Sequence, residues 1–386
     1  MPSPPRRLLK RLHLKGYKSF REINIELRPI NILIGANGAG KSNFISLFKM
    51  LRHMMLGELQ LYVERQGGAS ALFHYDYGPK ETQEIWMELW FEQGKHANGY
   101  RCILSYASDK LLITNEAIAY HDKAKYDSPF WETMSTQPRS ESLLPTWEKK
   151  YKGIARYIYQ DFHSWEVYHF HDTSESARIK QHVEINQNDR LWNDAGNLAA
   201  YLYFLRELHP DNYEDIVRAV RYAAPFFKDF HLRLSPLSAT PRIRLEWQAW
   251  GSDMIFGPES LSDGTLRFMC LATLFLQPSQ KQPSVILIDE PELGLHPYAL
   301  GLLAEMVQSV AHEKQVIMTT QSPFLIDRFE PEDILVVNIE EGASTISRLE
   351  RQPLEEWLKE YSLGELWTKN VLRGNPEYIQ PDDLPF

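Results

Sequence analysis

Gly35-Ala36-Asn37-Gly38-Ala39-Gly40-Lys41-Ser42 fits the spacing G-x-x-x-x-G-K-S/T in full. Its flanks decide the fold. Upstream, Asn31 to Ile34 is a short apolar run, the pattern of a buried strand. Downstream, Phe44, Leu47, Phe48 and Leu51 fall at i, i+3, i+4 and i+7, one face of a helix. Strand, glycine-rich turn and helix in that order predict an α/β fold with a phosphate cradle. Glycines let backbone N–H groups close round an anion where a Cβ would block the approach. The helix that follows turns the positive end of its dipole to the same point. Lys41 supplies a charge for terminal phosphates, and Ser42 offers a hydroxyl to Mg²⁺.

A second apolar strand, Val285 to Ile288, ends in Asp289 and Glu290. A carboxylate at the C-terminal edge of a buried strand lies beside a phosphate loop, where Asp289 can orient metal-bound water. Glu290, one residue on, is placed to polarise an attacking water. Upstream of both, Leu261-Ser262-Asp263-Gly264-Thr265 opens a helix whose Leu266, Met269, Cys270 and Thr273 share a face. Ser262 and Gly264 there suit an anion, and an ordinary helix cap fits them equally.

Around these motifs, Leu12 and Leu14, then Ile23, Ile25 and Leu27, alternate with polar residues as strands do. Residues 85–91, 100–105 and 111–120 read as an antiparallel meander. Residues 122–150, rich in Pro, Ser, Thr and charge, read as a loop or insert. The stretch 151–235 is aromatic and mostly helical in pattern, with its clearest helix between Asn197 and His209. Residues 241–250 alternate like a strand, and 351–386 hold a short helical segment and a Pro/Asp tail. No repeat and no sustained heptad run is present.

Among the 386 residues, 42 Lys and Arg face 51 Asp and Glu, a net charge of −9 that excludes a uniformly basic nucleic-acid coat. Residues 1–28 run against this, with eight basic and two acidic residues. Arg6, Arg7, Lys10 and Arg11 are therefore where a local DNA contact is expected. Cys102 and Cys270 are the two cysteines and form no C-x-x-C pair, so neither a disulfide scaffold nor a zinc-cysteine site is expected. A reducing cytoplasm suits them. No window is apolar enough to span a bilayer, and the N-terminus lacks the apolar run of a secretory signal.

Taken together, Gly35–Ser42, LSDGT at 261–265 and VILIDEPELGLHP at 285–297 resemble the ABC-type ATPase module. Leu261 to Thr265 corresponds to its signature, and Asp289-Glu290 to its Walker B pair. The opening Leu14-Lys15-Gly16-Tyr17-Lys18-Ser19-Phe20 resembles the start of the RecF, SMC and OLD branch. The nearest group is that of standalone AAA-family ATPases, many from bacterial anti-phage defence operons. The resemblance implies an α/β fold: an ABC-type P-loop ATPase head with a mixed central sheet, an antiparallel meander and a mostly helical insertion. It divides the chain into an N-lobe at 1–121, the insertion at 122–235, a C-lobe at 236–350, and a C-terminal helix and tail at 351–386.

The same resemblance implies ATP and Mg²⁺ as cofactors and ATP hydrolysis as the activity. It implies a homodimer, or a higher homo-oligomer, joined through the heads. Each ATP then lies between Gly35, Asn37, Gly38, Ala39, Gly40, Lys41, Ser42 and Asn43 of one subunit and Ser262 and Gly264 of the other. Ser42 and Asp289 fall to Mg²⁺, and Glu290 and Lys41 to catalysis. Gln321 replaces the family's switch histidine and is expected to sense the γ-phosphate; its amide donates a hydrogen bond but cannot titrate. Gln83 is the candidate Q-loop residue and Mg²⁺ ligand, with a surface glutamine as the other reading. Lys18, Ser19 and Phe20 fall near the nucleotide, although core packing also explains Tyr17 and Phe20. His296 is either a contact to the opposite subunit or a cap for the next helix. His169 and His171 lack an evident third ligand, so a structural loop is expected there and not a metal site.

The expected output is a switch that controls a separate effector, a nuclease or toxin, or acts on DNA in anti-phage defence or DNA maintenance. The alternative is the nucleotide-binding subunit of a membrane transporter. About 220 residues separate Ser42 from Ser262, more than a compact transporter cassette needs. Only about 65 residues follow Gln321, too few for the nuclease domain of OLD proteins, so a nuclease is expected as a partner.

Overall fold

The computed structural model describes residues 7–75, 84–107, 110–151, 153–235 and 240–373. The N-terminal alternation folds as an antiparallel hairpin of β1 (Leu8–Tyr17) and β2 (Phe20–Glu26), with Leu12 opposite Ile25 and Leu14 opposite Ile23. β3 (Ile30–Ile34) leaves this sheet and is buried at every position, as a strand covered on both faces must be. After α1 (Lys41–Leu56) and α2 (Leu59–Arg65), the chain returns as β4 (Glu84–Gln93), β5 (His96–Ala107), β6 (Lys110–Asp122) and β7 (Phe130–Ser135). The first sheet is thus antiparallel, in the order β2-β1-β4-β5-β6-β7.

Residues 122–150 differ from the loop read from their composition. They hold β7 and the start of α3 (Leu144–Tyr151). β7 pairs with β6 at the sheet edge and is mostly exposed. An edge strand that buries little carries polar residues and so imitates a loop in sequence.

The chain continues through α4 (Ile154–Ser164), β8 (Glu166–Tyr168), β9 (Val183–Glu184), α5 (Leu198–Leu208), α6 (Pro210–Ala223) and β10 (Phe227–Phe230). The alternation at 241–250 is split between β11 (Arg242–Ile243) and β12 (Trp247–Ala249), which pair with different partners, β9 and β10. A short β13 (Ile255–Phe256) completes the small sheet of β10 and β12. Then come α7 (Asp263–Leu276), β14 (Val285–Asp289), α8 (Pro297–Val310), β15 (Gln315–Thr319), α9 (Pro323–Ile326), β16 (Ile334–Glu340), β17 (Ala343–Arg348), α10 (Arg351–Leu354) and α11 (Leu363–Thr368).

The central sheet has the order β17-β16-β3-β15-β14-β8. Every neighbouring pair in it is parallel except β16 with β17, so the sheet is mixed. Side chains of period two divide its core into two layers. Ile32, Ile286, Ile288, Val316, Met318 and Val336 face the layer of α5, α6, α7 and α8. Leu33, Val285, Leu287, Ile317, Leu335 and Val337 face the layer of α1, α4 and the antiparallel sheet. Residues 122–235 are woven into both: β8 extends the central sheet beside β14, while α4 and α5 pack on opposite faces. Buried Gln315 ties the sheets together, accepting from Leu9 N at 3.1 Å and donating to Leu9 O and Arg28 O, each at 2.9 Å. Among the described residues, no helix is long and apolar enough to cross a membrane.

Arg7 is held to buried Asp161 of α4, with Nε and Oδ2 2.7 Å apart. Burial pushes the Asp161 carboxyl up to about 6, against the pull of Arg7. Between its ordinary value and about 6, the native state keeps a proton that the unfolded chain has released. This group therefore makes stability fall as pH rises across that window. Asp161→Asn removes the slope. Paired urea titrations from about pH 4 to about pH 6.5 are expected to show the wild type losing about 2–3 kcal/mol relative to the variant. Parallel curves would mean that Asp161 is not carrying it.

Candidate functional site

β3, β15 and β14 are adjacent and parallel, so their C-terminal ends open on one edge of the sheet. The glycine-rich loop follows β3, Gln321 stands two residues beyond β15, and Asp289 ends β14. Residues separated by hundreds of positions thus meet at one place, the crevice outside the carboxyl ends of the strands.

The loop is braced from outside. Gly40 has φ 117°, and a Cβ there would collide with Ser344 Oγ. Ser344, at the start of β17, donates its hydroxyl to Ala39 O at 2.6 Å and its backbone N–H to Ser19 O at 2.7 Å. Asn43 Nδ2 donates to Ser19 Oγ at 2.9 Å. The β1–β2 turn and β17 therefore grip the loop and the first turn of α1 together. Asn37 and Gly38 form the exposed tip, while Gly35, Ala39 and Gly40 are buried. Tyr17 and Phe20 are fully buried core residues.

Lys41 opens α1 and folds back across the loop, its Nζ donating to Gly35 O at 2.6 Å and Ala36 O at 3.0 Å. Burial lowers its ammonium below the usual lysine range, and the charges of Glu290, Asp289 and Glu292 oppose that shift. The Ser42 side chain is exposed beside it. Asp289 accepts the Thr319 hydroxyl from the end of β15. Thr319 Oγ in turn accepts the Glu290 backbone N–H at 3.0 Å. Glu290 sits at φ 42°, a left-handed conformation rare outside glycine that turns its side chain off the strand end. Gln321 Nε2 donates to Glu290 Oε1, and Gln321 N donates to Glu292 Oε1 at 2.7 Å. Burial raises the Glu292 carboxyl, partly offset by that backbone bond. An exposed hydroxyl, a strand-end carboxylate and a lysine between them suit a hard divalent cation on a polyphosphate.

The turn at 261–265, expected as the signature, lies elsewhere. Ser262 caps α7, its Oγ accepting from Thr265 N at 3.2 Å. Gly264 packs so closely on the Gly294 carbonyl that no side chain fits there. Arg267 fixes the turn after β14, donating to Leu293 O at 2.9 Å and to His171 O at 3.1 Å. α7 belongs to the core layer on the far side of the central sheet from α1. Within one chain, the sheet separates α7 from α1, the helix that carries Lys41.

His171 Nε2 donates to Asp289 O at 2.9 Å, and His169 Nδ1 pairs with Val167 O. Both rings are thus engaged by backbone carbonyls. His296 caps α8, its Nδ1 accepting from Tyr298 N at 3.2 Å. Gln83 lies outside the described residues. Sequence reasoning missed Ser344, Thr319, Arg267 and Glu292. Only Glu292, inside the quoted Walker B run, left a signal; the others reach the site from strands and helices with no motif of their own.

A family model described as "AAA domain, putative AbiEii toxin, Type IV TA system" matches residues 103–327, and a second, "AAA domain", matches 11–57. No curated protein sequence matches the chain. Among solved structures, an SMC head bound to the C-winged helix domain of ScpA aligns at TM-score 0.58 and 15% identity, covering 90% of this chain and 99% of that one. A Pyrococcus furiosus Smc head with an extended coiled coil, bound to the C-terminal domain of ScpA, aligns at 0.56 and 15%, covering 92% and 99%. A Pyrococcus yayanosii Smc head with a coiled coil and joint gives 0.52 and 13%, with 92% and 99% covered. At such identities the likeness is one of fold. With more than half its length inside the first model, the chain belongs to that AAA-domain family, and its fold is that of SMC heads.

Proposed function

We propose that the chain is an ATP-hydrolysing switch that works as a head-to-tail dimer, with two ATP molecules sandwiched between subunits. The observation that carries this reading is the division of the site between layers. Lys41, Asp289, Glu290 and Gln321 converge on one edge, while Ser262 stands on the far layer. A second chain brought in head to tail would supply Ser262 and Gly264 to the nucleotide.

In this reading the loop N–H groups of residues 35–43 and the Lys41 ammonium hold the phosphates. Bound Mg²⁺, held by Ser42 and Asp289, would neutralise charge that develops on them. Glu290 takes the proton of the attacking water as the water oxygen bonds to the γ-phosphorus and ADP departs. Gln321 holds one oxygen of Glu290, which aims the other at that water. Thr319 fixes the Walker B turn through Asp289 and the Glu290 amide, so base and cation site move as a unit.

The output side is a separate effector, a nuclease or toxin, within anti-phage defence. The SMC heads of similar fold carry a partner protein, which supports a separate effector; the family description, which names the matched domain itself as a putative toxin of a toxin–antitoxin system, supports the defence setting. The basic N-terminal strand offers little to DNA. Arg7, Lys10, Arg11, Lys15 and Arg21 face Asp161, Glu26, Glu88, Glu22 and Glu341. Arg6 lies outside the described residues. No observation favours the transporter alternative.

Lys41→Ala is expected to weaken ATP binding about 10–100-fold, because it removes a charge-assisted contact to the phosphates. Glu290→Gln is expected to keep binding, lose hydrolysis by about 10²–10⁴-fold, and accumulate as a dimer in ATP. Isothermal titration, phosphate release and light scattering read the three effects. A Glu290→Gln protein that stays monomeric in saturating ATP would sink the dimer reading.

A further inference from the structure

The small strands before the signature carry a charge pattern that the ATPase reading does not use. β11 pairs with β9 with Arg242 opposite Glu184 and Ile243 opposite Val183. On its other side, Ser235 pairs with Arg242, His231 N donates to Glu246 O at 2.8 Å, and Phe230 pairs with Trp247. The pairs at 235/242, 231/246 and 230/247 share one register, and carrying it through the unpaired residues between them places Arg233 across from Arg244. The register of β9 sets His182 on the other flank of Arg244. Three chain segments therefore bring His182, Arg244 and Arg233 side by side just beyond the ends of β9, β10 and β11, with Arg242 two residues from Arg244.

Like charges opposite one another across strands destabilise a sheet. Here the repulsion is only partly relieved from within the chain. Arg244 Nη2 pairs with Glu259 at 2.8 Å, and its Nε donates to Lys180 O at 2.9 Å. Arg242 donates to His182 O at 2.8 Å, a neutral acceptor. Arg233 has no hydrogen bond or ion pair among the described residues. The side chains surround a pocket of about 270 Å³ lined by His182, Arg233, Ser235, Arg242, Arg244 and Glu246. Three guanidinium groups against the one carboxylate that lines the pocket give it net positive charge in a chain of net charge −9.

We propose that this pocket binds phosphate groups, as the backbone of a nucleic acid presents them. Guanidinium forks match phosphate oxygens two at a time, and they stay charged at every working pH. Arg244 and Arg242 stand about 7 Å apart along the chain, room for two separate anionic groups. Glu259 holds Arg244 at the pocket's edge, which leaves Arg233 and Arg242 to meet the ligand.

The test is fluorescence anisotropy of the full-length protein with a labelled single-stranded or duplex oligonucleotide. It is run at several salt concentrations and again with inorganic phosphate as competitor. The wild type is expected to bind. The double substitution Arg233→Gln with Arg242→Gln is expected to lose about tenfold or more in affinity. It should also flatten the salt slope by about two, one for each lost phosphate contact. Arg233→Lys with Arg242→Lys keeps the charge and should keep most of the affinity. Neither position touches the phosphate loop, Walker B or the signature, so ATP turnover in the same preparations should not change. This holds whether or not the dimer reading stands. Protection of the wild type by inorganic phosphate alone, lost in the glutamine variant, assigns the pocket to a small phosphate ester. Equal binding by wild type and glutamine variant, or no binding of either probe, overturns the proposal.

Discussion

Three parallel strands that end side by side, β3, β15 and β14, are the constraint on which the molecule depends. Each brings one part of the candidate site to its C-terminal end: the glycine-rich loop and Lys41, Gln321, and Asp289 with Glu290. The strands are held there by apolar side chains of period two that face opposite layers, so sliding any strand by one residue would turn its core face to the wrong side. Register in the core is therefore register in the site. The hydrogen bonds from Thr319 to Asp289, and from the Glu290 amide back to Thr319, form only while β14 and β15 keep that alignment.

In the proposed reading, the same sheet leaves each chain with half of the site. Alternate residues of the central strands bury α1 on one face and α7 on the other. The first turn of α1 and the capped start of α7 thus lie in different layers. Around the loop itself, the bracing comes from distant chain segments. Ser19 in the β1–β2 turn and Ser344 in β17 hold the loop backbone and the first turn of α1. Buried Ala39 O would be left unsatisfied without Ser344, at about 1–3 kcal/mol. The antiparallel sheet is accordingly more than a flank: Gln315 joins β1 to β15, so the two sheets position the loop jointly.

The glycine-rich turn, the helix cap at Ser262 and the strand end at Asp289 were legible because each is set by consecutive residues. Gly35 to Ser42, Ser262 to Thr265 and Asp289-Glu290 each declare a turn, a cap or a strand end by local spacing alone. The alternation of β1, β2 and the meander was legible for the same reason. Residues 122–150 were not, since a half-exposed edge strand such as β7 has the composition of a loop. Ser344, Thr319 and Arg267 were invisible because a single hydroxyl or guanidinium acquires its role only when a far-off strand or helix arrives beside it. The arginine pocket is an intermediate case. Arg242 and Arg244 stand out in the alternating run at 241–250, but His182 and Arg233 join them only through strand pairing. Charge summed along the chain pointed instead to residues 1–28, where neighbouring strands and helices supply acidic partners.

The central claim is that a working ATP site takes its phosphate loop from one chain and its signature from another. Mixing two inactive proteins tests it most directly: Lys41→Ala, which lacks the loop lysine, and Ser262→Arg, which blocks the signature turn. In a mixed dimer one site would combine the intact loop of the second with the intact signature of the first. The account predicts that each protein alone is inactive and that the mixture regains ATP hydrolysis in a concentration-dependent way. A mixture as inactive as its components, or a Ser262→Arg protein that hydrolyses ATP normally by itself, would contradict it.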